Sequence, residues 1–383
     1  MNNSDKLAIF SMHPIPYNSH IYRYISKIYK KTEVIYLDDL GLAEYYNPYF
    51  KTKYKNDYDL LYGHSYKFLK NLNKKNNITG FFSRINFGLV NYFIKNKNIK
   101  FVMINGYQTF SSWLILFLSI IFNKKIIFKG ESIKIERSFF SKILIHLFFL
   151  RVNLFLYSCK GNYKFYKSFN IKNFKLVYGP CSVDYEYFQL KKNQISNEVL
   201  DEFKKKIKFK ENLKTIVFVS KFIPRKNPLE LLKAIIPIKS QVQIIFVGDG
   251  PLKNEILEFA KLNFINICLS GFLNQSELPI PYMISDLYVN TSLYDASPKT
   301  LNEALNFDLP LISSDKVGQS SDLIKNGVNG YIYQIGNLQD LTTKILMALK
   351  IDKLKIKNMS KILIIKTSAN IFAKNLFNSI NEI

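Results

Sequence analysis

Short runs of β-branched and aromatic residues alternate along the chain with segments whose apolar positions recur at helical spacing, the pattern of parallel α/β layers. In the first half, strands are predicted at 6–12 (KLAIFSM), 33–39 (EVIYLDD), 100–106, 125–131, 154–159 and 174–180. A second series follows at 215–221 (TIVFVSK), 242–248, 266–272, 286–292, 310–314 and 330–334. Intervening segments such as PLKNEILEFAKL (251–262) read as amphipathic helices. Residues 40–80 are rich in Tyr and Lys without clear periodicity, and a long excursion of that kind builds a binding wall more often than a core. Between the two series lies CSVDYEYFQLKKNQISNEV (181–199), polar and weakly patterned, where a hinge is expected. The pattern predicts two doubly wound α/β domains, 1–185 and 186–365, with a helix over about 366–383 packing back onto the first. Ligands of open α/β sheets bind at the carboxyl ends of the strands, so the domains are expected to face across a cleft, with functional motifs just after strands.

Composition fits this division, because 383 residues at 48% hydrophobic are enough for two cores. The amino-terminal MNNSDKLAIFSMHP lacks the pattern of a secretory signal, which reads as a cytoplasmic start. The apolar run WLILFLSIIF (113–122) is half the length of a spanning helix, and 139–157 is broken by Lys142, His146 and Arg151. Cys159, Cys181 and Cys268 are too widely spaced for a zinc or redox motif, and reduced, buried thiols are expected. A net charge of +25 favours polyanionic partners: nucleotide phosphates, anionic lipid or nucleic acid. Lys, Asn, Ile, Phe and Tyr abound everywhere, so part of that charge reflects compositional bias. No zinc finger, histone-like repeat or RNP-type aromatic motif supports nucleic acid.

Chemistry concentrates after the strands of the second series. KFIPRKNPLELLKA places Lys221 at a strand end and Lys226 in the turn before a helix, a spacing that suits a diphosphate; the alternative is an ordinary solvated turn. FVGDGPLKNEI (246–256) carries Gly248 and Gly250, expected to let the backbone approach a flat ligand, with Pro251 opening a helix. It is no dinucleotide fingerprint, because Lys253 stands where the third glycine is required, and a NAD-dependent oxidoreductase is disfavoured. In SGFLNQSELP (270–279), Gly271 and Phe272 are placed to meet a nucleobase before Gln275 or Ser276 starts a helix, although Phe272 reads equally well as a core aromatic.

SLYDASPKTLNEAL (292–305) follows the fourth strand of the series. Ser297 is a good N-cap and Pro298 a good first helical residue. Leu301, Ala304 and Leu305 form the apolar stripe, leaving Thr300 and Glu303 on another face. Asp295 precedes the helix, and N–H groups near 297–300, Lys299 included, are expected to face the ligand. Two carboxylates with seven residues between them can accept from hydroxyls at the two ends of a sugar–diphosphate–ribose.

From about 215 to 333 these motifs, with VGQSSDLIKNGVNGYIY (317–333), resemble in order and spacing the retaining nucleotide-sugar glycosyltransferases of family four, and YGHSYKFLKN (62–71) and YGPCSVDYEYF (178–188) look like pieces of its bacterial polysaccharide-assembly type. The resemblance implies the GT-B fold, two Rossmann-like domains. It places Lys221 at the family's diphosphate-binding Arg and Lys226 at its Lys, Asp295 on the donor sugar and Glu303 on the nucleotide ribose. Asp for Glu at 295 shortens the reach by one methylene, and Lys for Arg at 221 removes a bidentate fork. In the first half, HPIPYNS (13–19) stands where the family has a Gly-rich loop, and FKGES (128–132) where many members carry a functional His. His13 and Glu131 are thus acceptor-side candidates.

The expected function is metal-independent transfer of a sugar from a UDP or GDP sugar to a glycan or lipid-linked acceptor, with retention, in cell-surface polysaccharide, lipopolysaccharide or glycoconjugate biosynthesis. No cofactor beyond the donor substrate is called for: no DxD-like acidic pair follows an early strand and no His or Cys ligands are paired. The basic, aromatic first domain suggests peripheral attachment to an anionic membrane surface, on the cytoplasmic face of the plasma membrane. The alternatives are a non-catalytic basic nucleic-acid-binding protein and another nucleotide-sugar enzyme such as an epimerase.

Overall fold

The structure, a computed structural model, describes residues 5–47, 52–73, 80–133 and 136–383. Among the described residues, nine strands lie in the first half: β1 (Lys6–Ser11), β2 (Thr32–Tyr36), β3 (Tyr45–Asn47), β4 (Thr52–Tyr54), β5 (Ser65–Phe68), β6 (Ile99–Asn105), β7 (Lys125–Lys129), β8 (Leu154–Tyr157) and β9 (Leu176–Tyr178). Six follow: β10 (Lys214–Val219), β11 (Val242–Val247), β12 (Ile267–Gly271), β13 (Leu287–Asn290), β14 (Leu311–Ser314) and β15 (Gly330–Tyr333). Each of the twelve predicted strands is present within a few residues of its expected bounds.

The chain forms two compact units, Met1–Ala43 with Asp59–Ser182 and Ser368–Ile383, and Glu44–Tyr58 with Val183–Thr367. The first is built on a parallel sheet of order β5-β2-β1-β6-β7-β8-β9. Strand alternation assigns its two faces. Ala8, Phe10, Val102, Ile104 and Phe128 meet helices Gly88–Lys95, Phe110–Ile121 and Phe139–Phe149, whereas Leu7, Ile9, Met103 and Leu156 meet helices Pro16–Ile28 and Ala369–Ile380. The second unit's sheet, β12-β11-β10-β13-β14-β15, is also parallel. It has the strand order of a dinucleotide-type doubly wound fold. Ile216, Phe218, Ile244 and Phe246 pack there against Leu231, Leu232 and Ile256 of the helices that follow β10 and β11.

Three features differ from expectation. The polar stretch at 181–199 is helical, over Tyr185–Gln194 and again from Asn197 to Lys206. Asp184 caps the first of these by accepting from the Tyr187 N–H at 3.2 Å, and Phe188 buries its ring 6.1 Å from that of Phe307; one cap and one anchor make a helix that periodicity does not show. Within 40–80, the short β5 extends the sheet beside β2 and β3 pairs antiparallel with β4, while 48–51 and 74–79 lie outside the described residues. Residues 44–58, read as part of a continuous first domain, group with the second unit. There the Tyr58 hydroxyl donates to Asp184 at 2.6 Å, and Asp57 accepts from the Ser276 N–H at 3.2 Å. All three cysteines are buried and none is in a disulfide. Among the described residues, no helix is long and apolar enough to cross a membrane.

Candidate active site

In the second unit β10 and β13 are paired neighbours, with β11 and β12 on one side and β14 and β15 on the other. Strand order reverses between them, which is where an open α/β sheet leaves a crevice at its carboxyl end. The connection leaving β10 carries Lys221, Arg225 and Lys226, and that leaving β13 carries Asp295. Backbone geometry joins the two loops. Thr291 Oγ1 donates to the carbonyls of Lys226 at 3.1 Å and Asn227 at 2.7 Å, and the Leu293 N–H donates to Arg225 O at 2.9 Å. Asn227 adopts φ +50°, a left-handed turn that Asn tolerates, and leads into helix Pro228–Ile235. On its other side the Asp295 segment is held by the Gly318 N–H, which donates to Asp295 O at 2.8 Å.

These constraints bring Lys226 Nζ into direct contact with Asp295 Oδ2. Arg225 Nη1 lies 3.3 Å from the same oxygen and 3.1 Å from Tyr294 O, with its guanidinium 5.4 Å from the centre of the Tyr294 ring. Burial pulls the Lys226 ammonium below the usual lysine range against the opposing pull of Asp295. Lys221 is likewise lowered, by burial first and then by the positive charges of Lys226 and Arg225. Arg225 and Lys226 thus share one carboxylate while Lys221 adds a third, repelling cation beside them, leaving a local excess of positive charge that an anionic ligand would relieve.

Glu303 departs most from its expected place. The short helix Lys299–Leu305 buries Asn302 and Glu303 as fully as Leu301, Ala304 and Leu305, so its acid is enclosed and not on an open face. The Tyr282 hydroxyl donates to Glu303 Oε2 at 2.7 Å, and the Thr300 and Tyr288 hydroxyls meet at 2.6 Å. The helix begins one residue later than predicted: Pro298, not Ser297, is the capping residue, kept out of the helix by ψ 120° and making no side-chain cap bond. Ser297 and Pro298 are buried and Lys299 is half-buried.

A Cβ at Gly248, where φ is +133°, would sit 2.0 Å from Ser220 O, and one at Gly250, where φ is +156°, 2.5 Å from Phe222 O. The close approach they permit within the chain is between the β11 and β10 loops. Further bonds unite these loops: Phe222 N to Asp249 O at 2.9 Å, Leu252 N to Phe222 O at 3.0 Å, and Gly248 N to Gly271 O at 2.8 Å. Pro251 stays in this turn, and the helix starts at Lys253. Gln275 and Ser276 also remain in a turn, with the next helix starting at Pro279. Phe272 is half-buried at the end of β12 and is no core aromatic.

In the first unit His13 follows β1 and Glu131 follows β7. Burial depresses the His13 imidazole to about 4, aided by Arg84 and opposed by Asp38, and its Nδ1 has no hydrogen-bond partner. Glu131 is exposed and lies 3.8 Å from Lys129 Nζ, which also donates to Asn18 Oδ1 at 3.1 Å in the helix that follows His13. Among the described residues, no three His, Cys, Asp or Glu side chains converge as a metal site would require. Sequence reasoning missed Arg225, although it stands between the two assigned lysines, and it missed Tyr282 and Tyr288, whose bonds to the 299–305 helix are long-range.

Residues 200–362 match the family described as Glycosyl transferases group 1. The N-acetylgalactosamine-N,N'-diacetylbacillosaminyl-diphospho-undecaprenol 4-alpha-N-acetylgalactosaminyltransferase of Campylobacter jejuni is 25% identical over 240 residues, 62% of this chain and 61% of that one. The UDP-Gal:alpha-D-GlcNAc-diphosphoundecaprenol alpha-1,3-galactosyltransferase of Escherichia coli is 29% identical over 184 residues, 45% of this chain and 44% of its own. The chain thus matches less than two thirds of the length of these relatives. The crystal structure of Anabaena Alr3699/HepE in complex with UDP superposes with a TM-score of 0.74 at 13% identity, covering 99% of this chain and 100% of that one. The chain carries a Glycosyl transferases group 1 domain over residues 200–362 and has the fold of the GT-B glycosyltransferases.

Proposed function

We propose that this protein is a retaining glycosyltransferase that moves a sugar from a UDP or GDP sugar to a lipid-linked or glycan acceptor in the synthesis of a cell-surface polymer. The observation that carries this reading is the pairing of Arg225 and Lys226 with Asp295, with Lys221 as a third cation beside them, at the strand-order reversal of a sheet with the matched family domain. In this reading Lys221, Arg225 and Lys226 bind the diphosphate. As the bond from the anomeric carbon to the diphosphate oxygen breaks, negative charge grows on that oxygen, and desolvated cations stabilise it more than they stabilise the bound donor. The acceptor hydroxyl oxygen forms the new bond to the same carbon and gives up its proton to the departing diphosphate oxygen, so that the products are the glycoside and the nucleoside diphosphate. Asp295, released from part of its ion pairing by the diphosphate, accepts from donor-sugar hydroxyls.

Glu303 is proposed to hold the ribose; because it has no exposed surface, a ribose reaches it only once a neighbouring side chain moves. Phe272 and the loop at Gly248 and Gly250 line the base, and Ser297, Pro298, Lys299 and Thr300 border the phosphates. His13 and Glu131 are assigned to the acceptor. The reading includes no metal and no nucleic acid, and it places the protein at the cytoplasmic face of the membrane, where a lipid-linked acceptor is found. The undecaprenol-linked acceptors in the names of the two relatives support that class.

The test is release of nucleoside diphosphate from a panel of UDP and GDP sugars, with and without a polyprenyl-diphosphate glycan. Lys226→Ala should lower turnover on the order of 10²–10³-fold, as loss of one preorganised stabilising group does. Unchanged turnover in both Lys226→Ala and Glu303→Ala would overturn the assignment.

A further inference from the structure

The two helical layers of the first unit differ in what they show to solvent. On one face of the sheet, Pro16–Ile28 and Ala369–Ile380 are conventional amphipathic helices, neither of which exposes a large apolar side chain. On the other face, helix Phe110–Ile121 (FSSWLILFLSII) has no charged residue and turns Phe117, Ile120 and Ile121 outward at i, i+3 and i+4. Helix Phe139–Phe149 buries Ile145, Phe148 and Phe149 yet leaves Phe139 79% and Phe140 68% exposed, with Ile143, Leu144 and Leu147 beside them. Phe81, Phe82 and Phe87 group around Phe110, at ring-centre distances of 6.0–6.3 Å. A cavity of about 470 Å³ bordered by Phe81, Trp113 and Leu144 makes these segments one continuous surface. Fourteen of the thirty-one exposed large apolar side chains among the described residues fall within 81–150. Such concentration marks an interaction site on a soluble protein.

Charge identifies the occupant. Residues 80–183 contain sixteen Lys and Arg against two acids, Glu131 and Glu136, a net +14 of the chain's +25. Composition bias alone spreads charge evenly, whereas here just over a quarter of the chain holds more than half of it. Arg137 and Lys142 lie beside the exposed phenylalanines and border a second cavity of about 760 Å³ on the far side of helix Phe139–Phe149. Exposed Phe and Leu within a cationic field are the chemistry of an element lying in the plane of an anionic bilayer, apolar side chains in the acyl region and cations at the headgroups.

We infer that the outer face formed by 81–94, 110–121 and 139–150 is a membrane-docking surface for anionic lipid, with Phe139, Phe140, Phe82 and Phe117 as its inserting side chains. The inference deepens the proposed use of a lipid-linked acceptor and rests on it only for its purpose, because vesicle binding and donor binding are read separately.

The full chain is sedimented with vesicles of equimolar phosphatidylglycerol and phosphatidylcholine and with phosphatidylcholine alone. Binding to the anionic vesicles, weakened by salt, is expected, and Phe139→Ser with Phe140→Ser should reduce it about tenfold. Phe174→Ser, equally exposed but outside this face, should bind as the parent does. Equal binding by parent and double variant, or equal binding to neutral and anionic vesicles, overturns the inference. So does a concentration-dependent dimer that the double variant abolishes, which would make a second copy the occupant. A thermal shift with UDP and GDP sugars, retained in the double variant, keeps the fate of the docking surface separate from that of the donor site.

Discussion

The Tyr282 hydroxyl donates to Glu303 Oε2 at 2.7 Å where neither side chain has measurable exposure, so one acid of the proposed donor site is also part of the second unit's core. Its replacement therefore has two separable effects. Glu303→Ala leaves the phenolic hydroxyl without this acceptor, a loss of about 1–3 kcal/mol, and lowers the melting temperature by several degrees. Glu303→Gln keeps an acceptor oxygen in place and should melt closer to the parent. If both variants lose the response to nucleotide sugars in a thermal-shift assay, the carboxylate itself binds donor; if only Glu303→Ala does, packing is responsible.

Arg225 and Lys221 are expected to exchange roles. Arg225→Ala should raise the KM for donor about tenfold, the scale of one lost charge-assisted hydrogen bond, and leave Asp295 paired with Lys226 alone. Adding Lys221→Arg to that variant restores a guanidinium at a neighbouring position and should recover part of the loss. No recovery, or a fall in kcat alone, would show that Arg225 works through Asp295 and not on the diphosphate. Steady-state kinetics of both variants make the distinction.

Gly248→Ala should be among the most destabilising single changes in the second unit. Its Cβ would meet a backbone carbonyl at 2.0 Å, at φ +133°, and neither can give without moving the β10 loop that carries Lys221. A loss of roughly 2–4 kcal/mol is expected by urea titration, with donor affinity falling in parallel. Lys253→Ala, on the exposed side of the same turn, should cost well under 1 kcal/mol.

Stability should fall on mild acidification. His13 and His64 are each depressed by burial from an ordinary value of 6.5 to about 4. Between those values the unfolded chain binds protons that the folded chain refuses, so stability is complete above pH 6.5 and is lost as pH falls toward 4. The slope is up to about 1.4 kcal/mol per pH unit for each histidine. His13→Gln should flatten the dependence of the urea midpoint on pH across that window.

Strand positions were legible because each core strand is a nearly unbroken apolar run; even Val242–Val247, with Gln243 inside it, is buried at every position. β5 was not, since SYKF leaves three of its four residues exposed and owes its place to pairing with β2. The meeting of Lys226 with Asp295 follows from the strand ends that place their loops. The helix at 299–305 was misread because a carboxylate there looks like a surface residue; its burial depends on Tyr282, twenty-one residues away. Gly248 and Gly250 also answer to a neighbouring loop, a constraint that no local pattern reveals.

The helix Ala369–Ile380 supplies Phe372, Ala373 and Leu376 to the apolar core that also contains Ile9, Ile21 and Met103. During synthesis the ribosome must add residues 183–380 after the rest of that layer is made, which at ordinary elongation rates takes roughly 10–40 s. For that interval one side of a nascent sheet has helix Pro16–Ile28 but lacks the rest of its cover. The first unit is thus completed late, and a chaperone has its window to act before helix Ala369–Ile380 arrives.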